Sequence, residues 1–336
     1  MTEPLGIYGL EPTDPAEAAV VLIPVPFEAT TSYGRGTAQG PRAIFEASPQ
    51  IDLFDLEVGS PADAGIALLP EDSRVHAWNA RACELAGPVI AAEGAGDDPA
   101  LLAATAEVNR IGAELNDWLE AEASVWLERG ALVGVLGGDH STPLGAIRAL
   151  AKRHPGLGVL HVDAHADQRD AYMGFRYSHA SILHNVLAEA PGVAAVVGVG
   201  YRDLCREEHA VLEADPRCAA YYEPLLRQRQ LAGATWSELV GEAVANLPPK
   251  VYVSFDIDGL DPTLCPNTGT PVPGGLSFAE ACALLREVVS SGREIVGFDL
   301  CEVAPDPRGE SEWDGNVGMR VLYKLAGFAL ASRQPG

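Results

Sequence analysis

A chain of 336 residues, 47% apolar and 21% charged, can bury a sizeable core without disulfide or structural-metal staples. Its 47 acidic and 23 basic residues leave a net charge of −24, which repels nucleic acid and anionic membrane surfaces and excludes both as partners. No run approaches the roughly 18–20 apolar residues of a membrane span, the first residues lack a basic segment followed by an apolar one, and the six cysteines form no Cys-x-x-Cys pair. These features predict a cytoplasmic protein with reduced thiols.

Along the chain, short apolar runs alternate with longer amphipathic ones. The first strand is predicted at 19–24 (AVVLIP) and the first helix at 41–48. Segment 57–98, rich in Gly, Pro, Asp and Ala, carries no readable period. A long helix is expected at 99–129, then a strand at 131–136, a helix at 143–153 and a strand at 157–162. Ser141 and Thr142 before Pro143 predict a capped helix start. A helix at 180–189, a strand at 194–199, a helix at 205–213 and a weaker strand at 218–222 follow. The series ends with a helix at 235–247, a strand at 250–255, a helix at 277–290, a strand at 294–300 and a helix at 315–332. Ser277 with Glu280 three residues on reads as a capping box. This alternation predicts an α/β fold: three layers, α/β/α, around a central, mostly parallel sheet. With no repeat and no long linker, one domain is expected over residues 1–336, its core at about 19–332.

Three polar clusters each follow a predicted strand: Gly137-Gly138-Asp139-His140-Ser141, Asp163-Ala164-His165-Ala166-Asp167, and Asp256-Ile257-Asp258-Gly259-Leu260-Asp261-Pro262. In an open parallel sheet, ligands bind beyond the carboxyl ends of the strands, so the three clusters converge on one edge. Alone, Asp-x-Asp reads as a turn or cap and Gly-Gly-Asp-His as a loop. Together, His140, Asp163, His165, Asp167, Asp256 and Asp258 bring two imidazoles and four carboxylates to one crevice. Such carboxylates repel one another unless divalent cations sit between them. Imidazole and carboxylate without thiolate suit Mn²⁺ and, less selectively, Fe²⁺, Co²⁺, Ni²⁺ or Zn²⁺. Six ligands shared between two ions form a site that activates water at neutral pH.

GGDHS, DAHAD and SFDIDGLDP resemble the three signature segments of the ureohydrolase (arginase/agmatinase) family, in the family's order. The likeness extends to Gly269-Thr270-Pro271-Val272-Pro273-Gly274-Gly275, to Asp299-Leu300-Cys301-Glu302-Val303-Ala304-Pro305, and to the Gly34 to Pro41 stretch, covering about residues 20–330. The resemblance implies an arginase-like fold and cleavage of a small cationic guanidino substrate to urea and an amine. It also implies two divalent ions, Mn²⁺ first. One would be held by His140, Asp163, Asp167 and Asp256, the other by Asp163, His165, Asp256 and Asp258, so that Asp163 and Asp256 bridge. It further implies Asp167 as proton acceptor, His179 as proton shuttle to the leaving amine, Glu302 as the guanidinium partner, and a homo-oligomer, trimer or hexamer.

The run DAHADQRDAYMGFRYSHAS is most similar to agmatinases, which makes agmatine, cleaved to putrescine and urea, the expected substrate. In many arginases Asn stands where this chain has Arg169. Arg169 and Arg176 offer another reading, a carboxylate tail as in guanidinobutyrate, guanidinopropionate or arginine, or else ion pairs, for example with Asp170. Two further classes stay open. A two-metal phosphoesterase would add a Gly-Asn-His segment and more histidines, and a non-catalytic relative would have lost metal ligands. The sequence has neither mark. His161 is expected to pack, or hydrogen-bond, beside the site.

Overall fold

The computed structural model describes residues 5–333. Its strands are β1 (Val20–Val25), β2 (Ile66–Leu68), β3 (Leu132–Gly137), β4 (Leu157–Val162), β5 (Val193–Val199), β6 (Cys218–Tyr221), β7 (Lys250–Asp256) and β8 (Glu294–Cys301). They form one eight-stranded sheet in the order β2-β1-β3-β8-β7-β4-β5-β6. Every pairing between them is parallel, beyond the mostly parallel sheet expected. The helices are α1 (Gly40–Ala47), α2 (Ser73–Ala91), α3 (Pro99–Glu128), α4 (Leu144–Arg153), α5 (Ile182–Glu189), α6 (Arg206–Ala214), α7 (Glu223–Leu231), α8 (Trp236–Val244), α9 (Phe278–Ser290) and α10 (Trp313–Ala331).

Side chains alternate across a strand, and both sheet faces are covered, so the central strands are apolar throughout. Val20, Leu22, Leu132 and Leu136 pack with α1, α8, α9 and α10 on one face. Ile23, Val25, Val133 and Val135 pack with α2, α3, α4 and α5 on the other. The three layers follow directly. Among the described residues no helix is long and apolar enough to cross a membrane.

Local signals explain several boundaries. Asp98 accepts the backbone N–H groups of Ala100 and Leu101 ahead of Pro99, which starts α3. Ser277 and Glu280 make the expected reciprocal capping box of α9. The cap expected from Ser141 and Thr142 does not form. The N–H of Ser141 goes to the Asp139 carboxylate, as does its hydroxyl, and the Thr142 hydroxyl goes to the Asp139 carbonyl, so α4 begins at Leu144 without a side-chain cap. The buried Asp139 is the stronger acceptor and takes these donors. Segment 57–98 contains β2 and α2, and α7 also went unpredicted.

The sheet order places the chemistry. β3, β8, β7 and β4 are neighbours at the centre of the sheet, and each carries one polar cluster at its carboxyl end.

Candidate active site

The loops leaving these four strands meet at close range because glycine lets them. A Cβ on Gly138 would lie 2.0 Å from the carbonyl oxygen of Phe27, in the loop after β1. Asp139 N–H donates to that same carbonyl at 2.8 Å, and Glu302 N–H donates to the Gly138 carbonyl at 2.8 Å. Two acids of the site, Asp167 and Glu302, have φ of 51° and 62°. Left-handed backbone at non-glycine residues costs of order 1–3 kcal/mol and is retained where the surroundings enforce it. For Asp167 the enforcement is visible: its carbonyl accepts the N–H groups of Leu183 and His184 at the start of α5.

The six expected ligands come together as two groups, joined mainly through Asp163. His140 Nδ1 lies 3.0 Å from Asp163 Oδ2, 3.1 Å from Asp256 Oδ2 and 3.6 Å from Asp167 Oδ2. His165 Nδ1 lies 3.1 Å from Asp258 Oδ2 and 3.4 Å from Asp163 Oδ1. Asp163 thus faces both imidazoles, one oxygen to each. Asp256 belongs to the His140 group, and touches the other through Oδ1, which accepts the Asp258 N–H at 2.8 Å. The opposite edge of the His140 ring is occupied: Nε2 is 2.9 Å from Ser254 Oγ and 3.6 Å from Asp299 Oδ1. That contact fixes the ring with Nδ1 facing the carboxylates, the orientation a ligating histidine needs. His161, fully buried, stacks on His140 with ring centroids 4.9 Å apart, and sits 3.2 Å from Asp163 Oδ2 and 2.8 Å from the Tyr201 hydroxyl.

The electrostatics of this cluster call for added positive charge. Burial, and then the neighbouring Asp163 carboxylate, push Asp167 well above the usual carboxylate range. Burial, then Asp258 and Asp163, do the same to Asp256. Asp163 goes the other way: burial opposes its charge, but His161, His140 and His165 hold it well below the usual range. Buried carboxylates with imidazole nitrogens among them, and oxygens facing one another, fit divalent cations.

Beside this cluster lies a cavity of about 180 Å³, lined by His140, His165, Asp167 and Asp256 at its floor. Glu302 and His179 form its walls. Glu302 is buried; its Oε1 accepts the His140 backbone N–H at 3.0 Å, while Oε2 has no hydrogen-bond partner among the described residues. Burial, then Asp256 and Asp139, raise its pKa well above the usual range. A Cβ on Gly269 would stand 3.1 Å from Oε2, so the glycine keeps that oxygen clear. The His179 ring closes the opposite wall on a short 3₁₀ turn, His179–Ser181, capped by the Ser178 hydroxyl. Enclosure by protein, then the charge of His165, lower its pKa to about 4.

At the mouth stand Arg169, Tyr172, Asp203 and Glu208. The Arg169 guanidinium lies over the Tyr172 ring at 4.9 Å, and its Nε is 3.6 Å from Glu208. Glu208 is already engaged, accepting the N–H groups of Gln168 and Cys205. Arg176 is outside the cavity and pairs with Glu189 at 2.7 Å; Asp170, the partner suggested by sequence, faces His184 instead at 3.1 Å. Asp203, Ser254, Asp299 and Thr30 escaped the sequence reading. Ser254 and Asp299 lie inside recognised segments, but nothing in their spacing distinguishes an inward polar side chain from a packing one.

The arginase-family sequence model matches residues 18–327, nearly the whole chain. The chain belongs to the arginase family. N(1)-aminopropylagmatine ureohydrolase of Thermus thermophilus is 32% identical over 322 residues, covering 96% of this chain and 94% of that protein. Guanidinobutyrase of Pseudomonas aeruginosa is 30% identical over 318 residues, covering 90% and 84%. The structure of proclavaminate amidino hydrolase from Streptomyces clavuligerus superposes with a TM-score of 0.71 at 26% identity, covering 99% of each chain. As an arginase-family protein, the chain is a ureohydrolase acting on guanidino C–N bonds, of a family whose members are binuclear metal hydrolases.

Proposed function

We propose that this arginase-family chain hydrolyses a guanidino compound with a cationic aliphatic tail, agmatine first and its N-aminopropyl derivative second, releasing urea and an amine such as putrescine. The observation that carries the reading is the buried Oε2 of Glu302, a residue that lines the cavity, which has no hydrogen-bond partner among the described residues. A guanidinium is planar and presents paired N–H donors, the complement such a carboxylate oxygen lacks. The tail preference rests on the mouth, where Asp203 is exposed and makes no ion pair among the described residues, while Arg169 has Glu208 and Tyr172 beside it.

In this reading His140, Asp163, Asp167 and Asp256 hold one divalent ion, and Asp163, His165, Asp256 and Asp258 the other, with Mn²⁺ the preferred metal. Bound there, the ions lower the pKa of water and supply the nucleophile for hydrolysis. Glu302 holds the guanidinium at Oε2 and so orients its central carbon toward the floor of the cavity. Asp167 accepts a proton from the attacking water at a carboxylate oxygen. His179 delivers a proton to the departing amine, without which the nitrogen is a very poor leaving group. The family resemblance supports a cytoplasmic homo-oligomer, trimer or hexamer.

A second reading has its own observation. Arg169 lines the cavity, and its guanidinium makes no hydrogen bond among the described residues, a fit for a carboxylate tail such as that of guanidinobutyrate. The test is urea release by Mn²⁺-loaded protein with agmatine, N1-aminopropylagmatine, arginine, guanidinobutyrate and guanidinopropionate. Preference for the first two, abolished by chelation and restored by Mn²⁺, is expected. Preference for a carboxylate-tailed substrate moves the assignment to the second reading. No urea from any of them, also with Ni²⁺ or Co²⁺, refutes both.

A further inference from the structure

The loop after β1 sends one side chain to the proton-handling side of the cavity. Thr30 is buried, with 1% of its surface exposed. Its hydroxyl oxygen has three polar neighbours: Asp139 Oδ2 at 3.4 Å, His179 Nδ1 at 3.3 Å and the His179 backbone N–H at 3.2 Å. The loop that carries it is tied down. Glu28 accepts the N–H groups of Gly36 and Ala38 and the Thr37 hydroxyl, and Phe27 receives the Asp139 N–H.

One arrangement of hydrogens meets every polar atom of this cluster. A hydroxyl offers one hydrogen and two lone pairs. The other carboxylate oxygen of Asp139, Oδ1, takes the Ser141 N–H and hydroxyl, while its Oδ2 receives the Thr30 hydroxyl. The single hydrogen of Thr30 points to Asp139 Oδ2, to which the hydroxyl donates at 3.4 Å. Both lone pairs of Thr30 then face His179, one taking its backbone N–H and the other requiring a hydrogen on Nδ1. Were Nδ1 bare, it would compete with Asp139 for the one hydroxyl hydrogen, and a buried acceptor would be left unmet.

We propose that Thr30, itself held by Asp139, is a positioning residue that keeps the hydrogen of neutral His179 on Nδ1 and reserves Nε2 for proton exchange in the cavity. Among the described residues Nε2 has no hydrogen-bond partner, and the ring lines the cavity. The inference rests on the shuttle role given to His179 above. It adds the element that sets which nitrogen moves the proton, a residue from the loop after a strand that carries none of the three polar clusters.

The test compares Thr30→Val, which removes the hydroxyl at nearly constant shape, with Thr30→Ser, which keeps it. T30V is expected to lower kcat by about tenfold or more with KM changed by less than about threefold, and T30S to keep kcat within about threefold of the parent. Bound metal per chain should be unchanged in both. In a His179→Ala background, T30V should cost no more than about twofold, since the hydroxyl then has no ring to set. A T30V kcat within about threefold of the parent, or an equal loss with and without His179, overturns the proposal. Parent protein loaded with diamagnetic Zn²⁺ and labelled with ¹⁵N-histidine gives a readout independent of any variant's folding. A protonated Nδ1 in neutral His179 is expected, and a protonated Nε2 with bare Nδ1 refutes the assignment. If His179→Ala itself leaves kcat unaffected, the shuttle role of His179 fails instead, a separable outcome.

Discussion

Replacing Glu302 by Gln changes one atom's chemistry in a buried wall. The Oε1 position already accepts the His140 N–H at 3.0 Å, and a Gln carbonyl oxygen keeps that bond, so the His/Asp cluster is left in place. The other position, an oxygen with no hydrogen-bond partner among the described residues, becomes an NH₂ that can only donate. Facing a guanidinium, it exchanges up to two charge-assisted hydrogen bonds for a clash of donors. Each such bond contributes about 1.5–3 kcal/mol, so the loss is about 3–6 kcal/mol. At about 1.4 kcal/mol per decade, kcat/KM should fall by about 10² to 10⁴. The assay is initial urea release at substrate concentrations well below KM, with bound metal measured on the same sample. A loss under about tenfold with full metal content would refute the pairing of Glu302 with the guanidinium.

Gly138→Ala puts a methyl 2.0 Å from the Phe27 carbonyl, where only backbone can give way. A loss of about 3 kcal/mol, with a Tm fall of roughly 4 °C in calorimetry, is expected; a Tm within about 1 °C of the parent would show that the two loops separate freely. The cap of α9 sets an acid-side dependence. Burial alone would raise Glu280, but Arg227 and the Ser277 backbone and hydroxyl bring it down from 4.5 to about 2. A lowered pKa gives stability that is complete above pH 4.5 and fades as the pH drops toward 2. Discounted for partial exposure, the contribution is about 1–2 kcal/mol. Glu280→Gln should lose it at pH 7 and flatten the acid limb in denaturant melts taken from pH 5 down to 2.5; an unchanged limb refutes the linkage.

The fold and the convergence of the polar clusters on one sheet edge were legible because strong local signals coincided. Central strands buried on both faces read as unbroken runs of Val, Ile and Leu, and the polar residues that interrupt them at their carboxyl ends have no packing use. The edges were less legible. β2 has three residues and one neighbour, and α2 lies in a stretch whose Gly, Pro and Asp obscure the helical period. α7 buries only Leu226, so it has almost no apolar stripe to read. β6, predicted weakly, is the other edge strand and is only half-buried along its length. The cap at Ser141 failed for a tertiary reason: Asp139, inside the same motif, claims its donors. Arg176 meets Glu189 because α5 folds back beside it, a contact that spacing along the chain does not reveal.

The sheet order has a bearing on how the protein is made. β8 is the last strand along the chain, yet it lies between β3 and β7. Until it inserts, β2-β1-β3 and β7-β4-β5-β6 are separate slabs, with His140 on the first and Asp163, His165, Asp167, Asp256 and Asp258 on the second. In the proposed ligand set, the position that needs His140 therefore cannot close before about residue 302 has left the ribosome, while the other, all on one slab, can form earlier. Capture of the first ion would then be a late event in biogenesis, timed by the strand that also delivers Glu302.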